Sequence, residues 1–333
     1  MSAVAATSTS LLACIEDDLA RVEERLLAET RSEIGAVRDI SGHTLLSGGK
    51  RLRPAVAVLG SRAVGRRTPT DRAFTAAAAV ELIHMATLMH DDVVDEAPER
   101  RGRPTAAAVY GNGIAVLTGD YLLAKSIQLL CRDDENLQLV RLFADVTVGM
   151  AEGEVLQAAV AGRLDTPLST YEEVIERKTA RFLAGCAEAG GLLGGATEAE
   201  AAALRAYGHH LGMAFQIADD LLDFLGDPKR TGKPLGTDLR DGRITLPLIH
   251  AVGVASLAER ASLETLLRKG MSLTDAELGE MTALLERLGG FTRARIVAEE
   301  RVERAVGELT RFPAGIYKDA LIQLARYVVA RDR

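Results

Sequence analysis

Asp91-Asp92-Val93-Val94-Asp95 closes one long apolar-periodic run, and Asp219-Asp220-Leu221-Leu222-Asp223 closes another. Each DDxxD cluster therefore reads as the last turns of a helix. Residues four apart share a helical face, so Asp91 points with Asp95 and Asp219 with Asp223. Carboxylates at a helix C-terminus face the negative end of the macrodipole and repel one another. That placement costs stability unless cations are held there. A small number of hard oxygen ligands suits Mg²⁺, which keeps waters and is completed by substrate phosphates. One such cluster reads equally as a solvated acidic helix end. Two, each after an apolar helix and before basic residues, do not.

Helical periodicity extends outward from both clusters. Leu11, Leu12, Ile15, Leu19, Val22, Leu26 and Leu27 make an amphipathic N-terminal helix within residues 1–35, expected to pack on the body. A short helix from Asp39 to Leu46 stops at Ser47-Gly48-Gly49, and Pro54 is a favourable first residue for the next helix, to about Val64. After the first cluster, Glu96 to Thr105 reads as a loop, with helices following at Ile114–Leu130 and Leu137–Val160. Ser169-Thr170-Tyr171-Glu172 has the pattern of a capping box opening a helix through Ala189, and Thr197-Glu198-Ala199-Glu200 and Thr274-Asp275-Ala276-Glu277 repeat that signal. Gly226 to Arg243, dense in Gly, Pro, Lys and Asp, reads as a mobile loop over a site. No strand-turn-strand signal and no composition break stand out, so the expectation is all-α: a single-domain many-helix bundle over residues 1–333.

Composition narrows the function. Hydrophobic residues make up 47% of the 333, enough for a large core, while aromatic residues make up 4% with no Trp, which argues against a nucleic-acid stacking surface. The net charge of −7 offers no global field for a polyanion, so an anionic substrate needs a local cluster of cations. Cys14, Cys131 and Cys186 lie far apart in apolar segments and read as buried thiols of a reducing cytoplasm. No secretory signal and no uninterrupted apolar stretch of membrane-spanning length is evident.

Four cationic groups accompany the acids. Gly48-Gly49-Lys50-Arg51-Leu52-Arg53-Pro54 puts cations beside the free N–H groups of a helix start, a phosphate-binding arrangement. Arg100-Arg101-Gly102 follows the first cluster, Lys178-Thr179 lies within a helix, and Lys233 to Arg243 alternates cations with Asp238 and Asp241. With GDYLLAK at Gly119–Lys125 and FQIADDLLDFLGDPKRTGKPLGTDLRDGRITLP at Phe215–Pro247, the sequence resembles the all-trans polyprenyl diphosphate synthases, head-to-tail isoprenoid chain-elongating enzymes. The resemblance runs from about residue 43 to 250.

The resemblance implies an isoprenoid-synthase helical bundle with a central cavity, a homodimer, and two substrates, isopentenyl diphosphate and an allylic diphosphate. It implies three Mg²⁺ ions, two on Asp91 and Asp95 and one on Asp219 with Asp220 and Asp223 in support. Lys50, Arg53, His84 and Arg101 would bind isopentenyl diphosphate, and Arg100, Lys178 and Lys233 the allylic diphosphate. Thr179 and Gln216 would turn oxygen dipoles toward the developing allylic cation. Ionisation adds charge to the departing diphosphate, so cations there favour the transition state. No side chain looks like a dedicated base, and by resemblance the departed diphosphate takes the proton. His43, His90, His209, His210 and His250 read as structural.

Two rivals share parts of this pattern. A terpene cyclase has a different second metal motif and needs no GGKRLRP. A non-catalytic subunit would have lost aspartates or arginines that this chain keeps. Product length follows from the wall N-terminal to Asp91: Thr87, Ile83, Val80 and Ala76 form a stripe, and Ala86 and Thr87 are small where short-chain synthases tend to place aromatic rings. The wall spans roughly 22 Å, against about 13–15 Å for an extended farnesyl chain. A long-chain product is expected, such as a quinone side chain, with a short-chain product the alternative and transient membrane contact a route for its release. The tunnel floor falls on a neighbouring helix, with Leu122, Leu123 and Leu156 as candidates.

Overall fold

Apolar residues at helical spacing dominate the chain, and helices form accordingly. A computed structural model describes residues 11–46, 48–49, 51–100, 102–132, 137–227 and 234–330. A 3-10 turn leads into α1 (Glu16–Glu29), then α2 (Gly35–Leu46), α3 (Leu52–Val64) and α4 (Asp71–Val94). A small hairpin follows, β1 (Glu99–Arg100) antiparallel to β2 (Arg103–Pro104), with Arg100 opposite Arg103. Next come α5 (Ala106–Tyr110), α6 (Asn112–Cys131), α7 (Gln138–Val160), α8 (Leu168–Ile175) and a π turn at Glu176–Ala180. The remainder is α9 (Arg181–Leu193), α10 (Glu198–Leu225), α11 (Thr237–Arg240), α12 (Leu246–Val254), α13 (Leu257–Leu267), α14 (Asp275–Arg287), α15 (Gly290–Glu308) and α16 (Ile316–Ala330).

The fold is all-α, as the periodicity predicts, with local corrections. The Glu96–Thr105 segment is not a plain loop: Gly102, at φ 72°, lets the chain reverse and pair over two residues. The capping boxes at Thr197 and Thr274 form with Glu200 and Glu277. The one expected at Ser169-Thr170 does not, because the helix already begins at Leu168, directly after Pro167. Nor does that helix run unbroken to Ala189, since the π turn interrupts it. Pro54 is the third residue of α3 rather than the first, still within the turn whose N–H groups lack helical partners.

Contacts divide the chain into two compact units. The first comprises Met1–Thr147, Leu183–Gly208 and Glu308–Leu324. Helix α4 is its centre: Ala73 through Ile83 are all buried, as expected of a helix surrounded by others. It packs on α6, α3 and α1. α1 buries Val22 and Leu26, and Arg62 of α3 makes two 2.8 Å hydrogen bonds to Asp18. Helix α9 approaches α3 closely because Gly190 has no side chain; a Cβ there would lie 2.0 Å from the Ala57 carbonyl oxygen.

The second unit comprises Val148–Phe182, His209–Gly307 and Ala325–Arg333. Tyr171, Ile217, Leu221, Phe224, Leu248 and Phe291 lie in its core. Gly212 of α10 lets the π turn pack tightly, since a Cβ there would meet the Ala180 Cα at 2.5 Å. That contact sets the depth at which Thr179 sits.

Helices α4 and α6 are each long and apolar enough to cross a membrane, which the sequence reading did not anticipate. The apolar window of α4 is 78% buried, as in a core helix. Of the three cysteines Cys186 is buried, whereas Cys14 is half-buried and Cys131, at the end of α6, is exposed.

Candidate active site

The two DDxxD clusters share one arrangement. In each, the second aspartate is turned inward: Asp92 is 6% exposed and Asp220 3%. Asp91 and Asp219 are half-buried, Asp95 is exposed and Asp223 is half-buried. A rotation of about 100° per residue separates first from second, so one faces the site while the other faces the core.

In the first unit, α4 ends at Val94, and the Asp95 N–H bonds the Asp91 carbonyl at 2.8 Å. Arg100, on β1, donates from Nε to Asp92 Oδ1 at 2.6 Å, so the hairpin is fastened to the aspartate helix. It is also fastened to α2: Arg103 donates to the Leu46 carbonyl at 3.1 Å, and the His43 ring nitrogen lies 2.8 Å from the Pro104 carbonyl. The basic hairpin and the Gly48-Gly49 turn are thereby held near one another. Gly48 has φ 77°, Gly49 φ 158°, and Arg51, the residue before α3, has φ 47°. Arg53 is half-buried in the first turn of α3. His84 is half-buried on α4, and its carbonyl accepts the Thr87 hydroxyl at 2.9 Å. Ile83 and Ala86 are buried and Thr87 is half-buried. Lys50, Arg101 and Lys233 lie outside the described residues.

In the second unit a chain of hydrogen bonds runs through the expected residues. The Thr179 hydroxyl donates to Gln216 Oε1 at 2.8 Å, and Gln216 Nε2 donates to Asp220 Oδ1 at 3.0 Å. The Tyr171 hydroxyl donates to Asp220 Oδ2 at 2.6 Å. Both oxygens of Asp220 are thus engaged, which makes it a support for Gln216. Thr179 gives its proton to Gln216, leaving its lone pairs for an electron-poor neighbour. Lys178, beside it in the π turn, pairs with Glu154 and Gln157 of α7. Asp223 accepts the N–H groups of Thr237 and Asp238 at 3.1 Å each, capping α11 and fixing Asp238. Arg243 pairs with Asp238 at 3.2 Å and Asp241 at 3.4 Å. A cavity partly open to solvent is lined by Lys178, Gln216, Asp220, Asp238 and Arg243 among others.

Burial and the nearby Asp238 push the carboxyls of Asp220 and Asp223 well above the usual range. Burial and Asp220 likewise raise the Tyr171 phenol, which stays protonated as a donor. Crowded hard oxygens that resist carrying full charge alone suit a divalent cation. Among the described residues no three His, Cys, Asp or Glu side chains are gathered as a ready-made metal cage.

Sequence reasoning gave no site role to Tyr171, Gln157 or Glu154, and noted Arg243 and Asp238 only as members of a loop alternating cations and acids. Tyr171 carried one usable signal: it lies seven residues, two helical turns, before Lys178.

The sequence model of the polyprenyl synthetase family matches residues 35–284. The octaprenyl diphosphate synthase of Escherichia coli K12 is 37% identical over 318 residues, covering 95% of this chain and 96% of the relative. Among solved structures, a decaprenyl diphosphate synthase from Rhodobacter capsulatus superposes with TM-score 0.91 at 39% identity, over 98% of this chain and 99% of the other. A polyprenyl synthase from Caulobacter crescentus CB15, complexed with calcium and isoprenyl diphosphate, gives TM-score 0.92 at 34% identity over 98% of each chain. The chain belongs to the polyprenyl synthetase family.

Proposed function

We propose that this protein is a trans-prenyltransferase that condenses isopentenyl diphosphate head-to-tail onto an allylic diphosphate and repeats the step to a long chain, of the kind carried by quinones. The observation that carries the reading is the paired arrangement of the clusters, with Asp92 and Asp220 buried and hydrogen-bonded beside half-buried Asp91 and Asp219. Relatives named for octaprenyl and decaprenyl products support the long chain.

Asp91, Asp95 and Asp219 would hold magnesium, which supplies Lewis-acid pull on the leaving diphosphate. Arg100, Lys178 and Lys233 bind that diphosphate, so charge growing on it is met by fixed cations. Lys50, Arg53, His84 and Arg101 orient isopentenyl diphosphate. Thr179 and Gln216 face the allylic cation with oxygens locked by Asp220 and Tyr171. The double bond of isopentenyl diphosphate attacks, and the departed diphosphate takes the proton that restores the alkene. The protein acts as a homodimer with all these residues drawn from one subunit; Ile114, Leu117 and Ile127, exposed on α6, supply an apolar face for it.

Turnover of radiolabelled isopentenyl diphosphate tests the reading. Asp91→Ala and Asp219→Ala should each lower kcat by orders of magnitude at saturating Mg²⁺ while leaving the metal-free protein as stable as before. Full turnover by Asp91→Ala would overturn it.

A further inference from the structure

Arg51 differs from the cations around it. Its backbone is left-handed, φ 47° and ψ 39°, a conformation that non-glycine residues hold only when their surroundings enforce it. Its side chain is only 13% exposed and turns into the first unit. Every guanidinium nitrogen has a partner. Nε donates to the Glu23 carboxylate of α1, Nη1 to Glu81 Oε1 of α4 at 2.9 Å, and Nη2 to the Leu45 carbonyl of α2 at 3.2 Å. Glu81 is itself 3% exposed. Four helices therefore meet on one side chain: α1, α2 and α4 through its partners, and α3 through its own backbone. With each guanidinium nitrogen bonded to a protein acceptor and the side chain turned inward, the fork is committed to the protein.

We propose that Arg51 is a positioning residue for isopentenyl diphosphate, clamping the start of α3 so that Arg53 in its first turn is presented in one direction, with Glu23 making α1 part of the clamp. This rests on the assignment of Lys50 and Arg53 to that substrate. The physical basis is the conflict at residue 51. A left-handed Arg would relax to an ordinary backbone if its side chain were released, and the turn would rotate with it. Two carboxylates and a carbonyl prevent that. Glu23 is the accessible end of the clamp, 38% exposed, whereas Glu81 is its buried end.

Glu23→Gln and Arg51→Lys test this, with Lys50→Ala as the control on the underlying assignment. Glu23→Gln keeps shape and weakens one charge-assisted bond at a partly exposed site, and Arg51→Lys keeps charge but loses the fork. Both should raise KM for isopentenyl diphosphate by roughly tenfold, with kcat and the allylic KM within about twofold of wild type. A residue that only braced the fold would lower the amount of active enzyme, and so apparent kcat, without separating the two KM values. If Arg51→Lys fails to fold, Glu23→Gln carries the test alone. The inference is overturned if Lys50→Ala raises the isopentenyl diphosphate KM while Glu23→Gln leaves it at the wild-type value. If Lys50→Ala leaves that KM unchanged, the assignment of the loop to this substrate falls instead, and the inference with it.

Discussion

Tyr171→Phe deletes one oxygen from a buried chain of hydrogen bonds and leaves the ring in place. The lost bond is the 2.6 Å donation to Asp220 Oδ2, and both residues are buried, so bulk water cannot substitute for the missing donor. A hydrogen bond to a charged or strongly polarised acceptor contributes about 1.5–3 kcal/mol. For a chain of 333 residues the unfolding entropy is on the order of 0.7 kcal/mol/K. Tm should therefore fall by about 2–4 °C. The kinetic effect follows from the next link. Asp220 loses one of two anchors, and Gln216, which donates to its other oxygen, becomes free to turn away from Thr179. Misaligned oxygens near a developing cation should lower kcat by roughly tenfold or more, while both KM values, set by the diphosphate-binding cations, stay within about twofold. Thermal unfolding and steady-state turnover on the same preparation measure both. A lowered Tm with wild-type kcat would refute the claim that this chain of bonds orients the catalytic oxygens.

Two other expectations concern the substrates. Arg100→Ala should raise the allylic KM, and Arg101→Ala that of isopentenyl diphosphate, each by about 10- to 150-fold; the reverse pattern in steady-state kinetics would exchange the two assignments. Arg100→Ala should also lower Tm, because it removes the Nε donor from the buried Asp92. Thr87→Phe and Ala86→Phe should shorten the product toward farnesyl or geranylgeranyl diphosphate with the first condensations retained. Ala86 is 1% exposed, so its variant carries an overpacking cost of about 1–3 kcal/mol, and the half-buried Thr87 gives the cleaner test. Wild-type chain length from both active variants would mean that the tail does not follow α4.

The helices bearing Asp91 and Asp219 were legible because a 3.6-residue period, acid clusters and caps agree over long stretches. Thr274 and Thr197 capped their helices as written, since nothing upstream competed. Ser169 did not, because Pro167, with its fixed φ, starts the helix before it. The π turn was not legible: Glu176-Arg177-Lys178-Thr179-Ala180 is ordinary helical sequence, and the extra residue per turn comes with its packing against Gly212. Nor could the inward turn of Asp92 and Asp220 be read in full. Periodicity separates neighbouring residues by face, but Tyr171 lies 49 residues from Asp220 and Arg51 lies 30 from Glu81. Such pairings exist only after tertiary folding. What the motifs named was the chemistry, and what they omitted was the set of buried groups that aims it.

The central claim is chain elongation to a long product, and one measurement meets it directly. Radiolabelled isopentenyl diphosphate and farnesyl diphosphate are incubated with the protein and Mg²⁺, and the products are resolved by chain length. The account predicts label in an all-trans polyprenyl diphosphate longer than geranylgeranyl diphosphate, formed only when the divalent cation is present. Label that stops at geranylgeranyl diphosphate, or an allylic substrate consumed to hydrocarbon with no label incorporated, would contradict it.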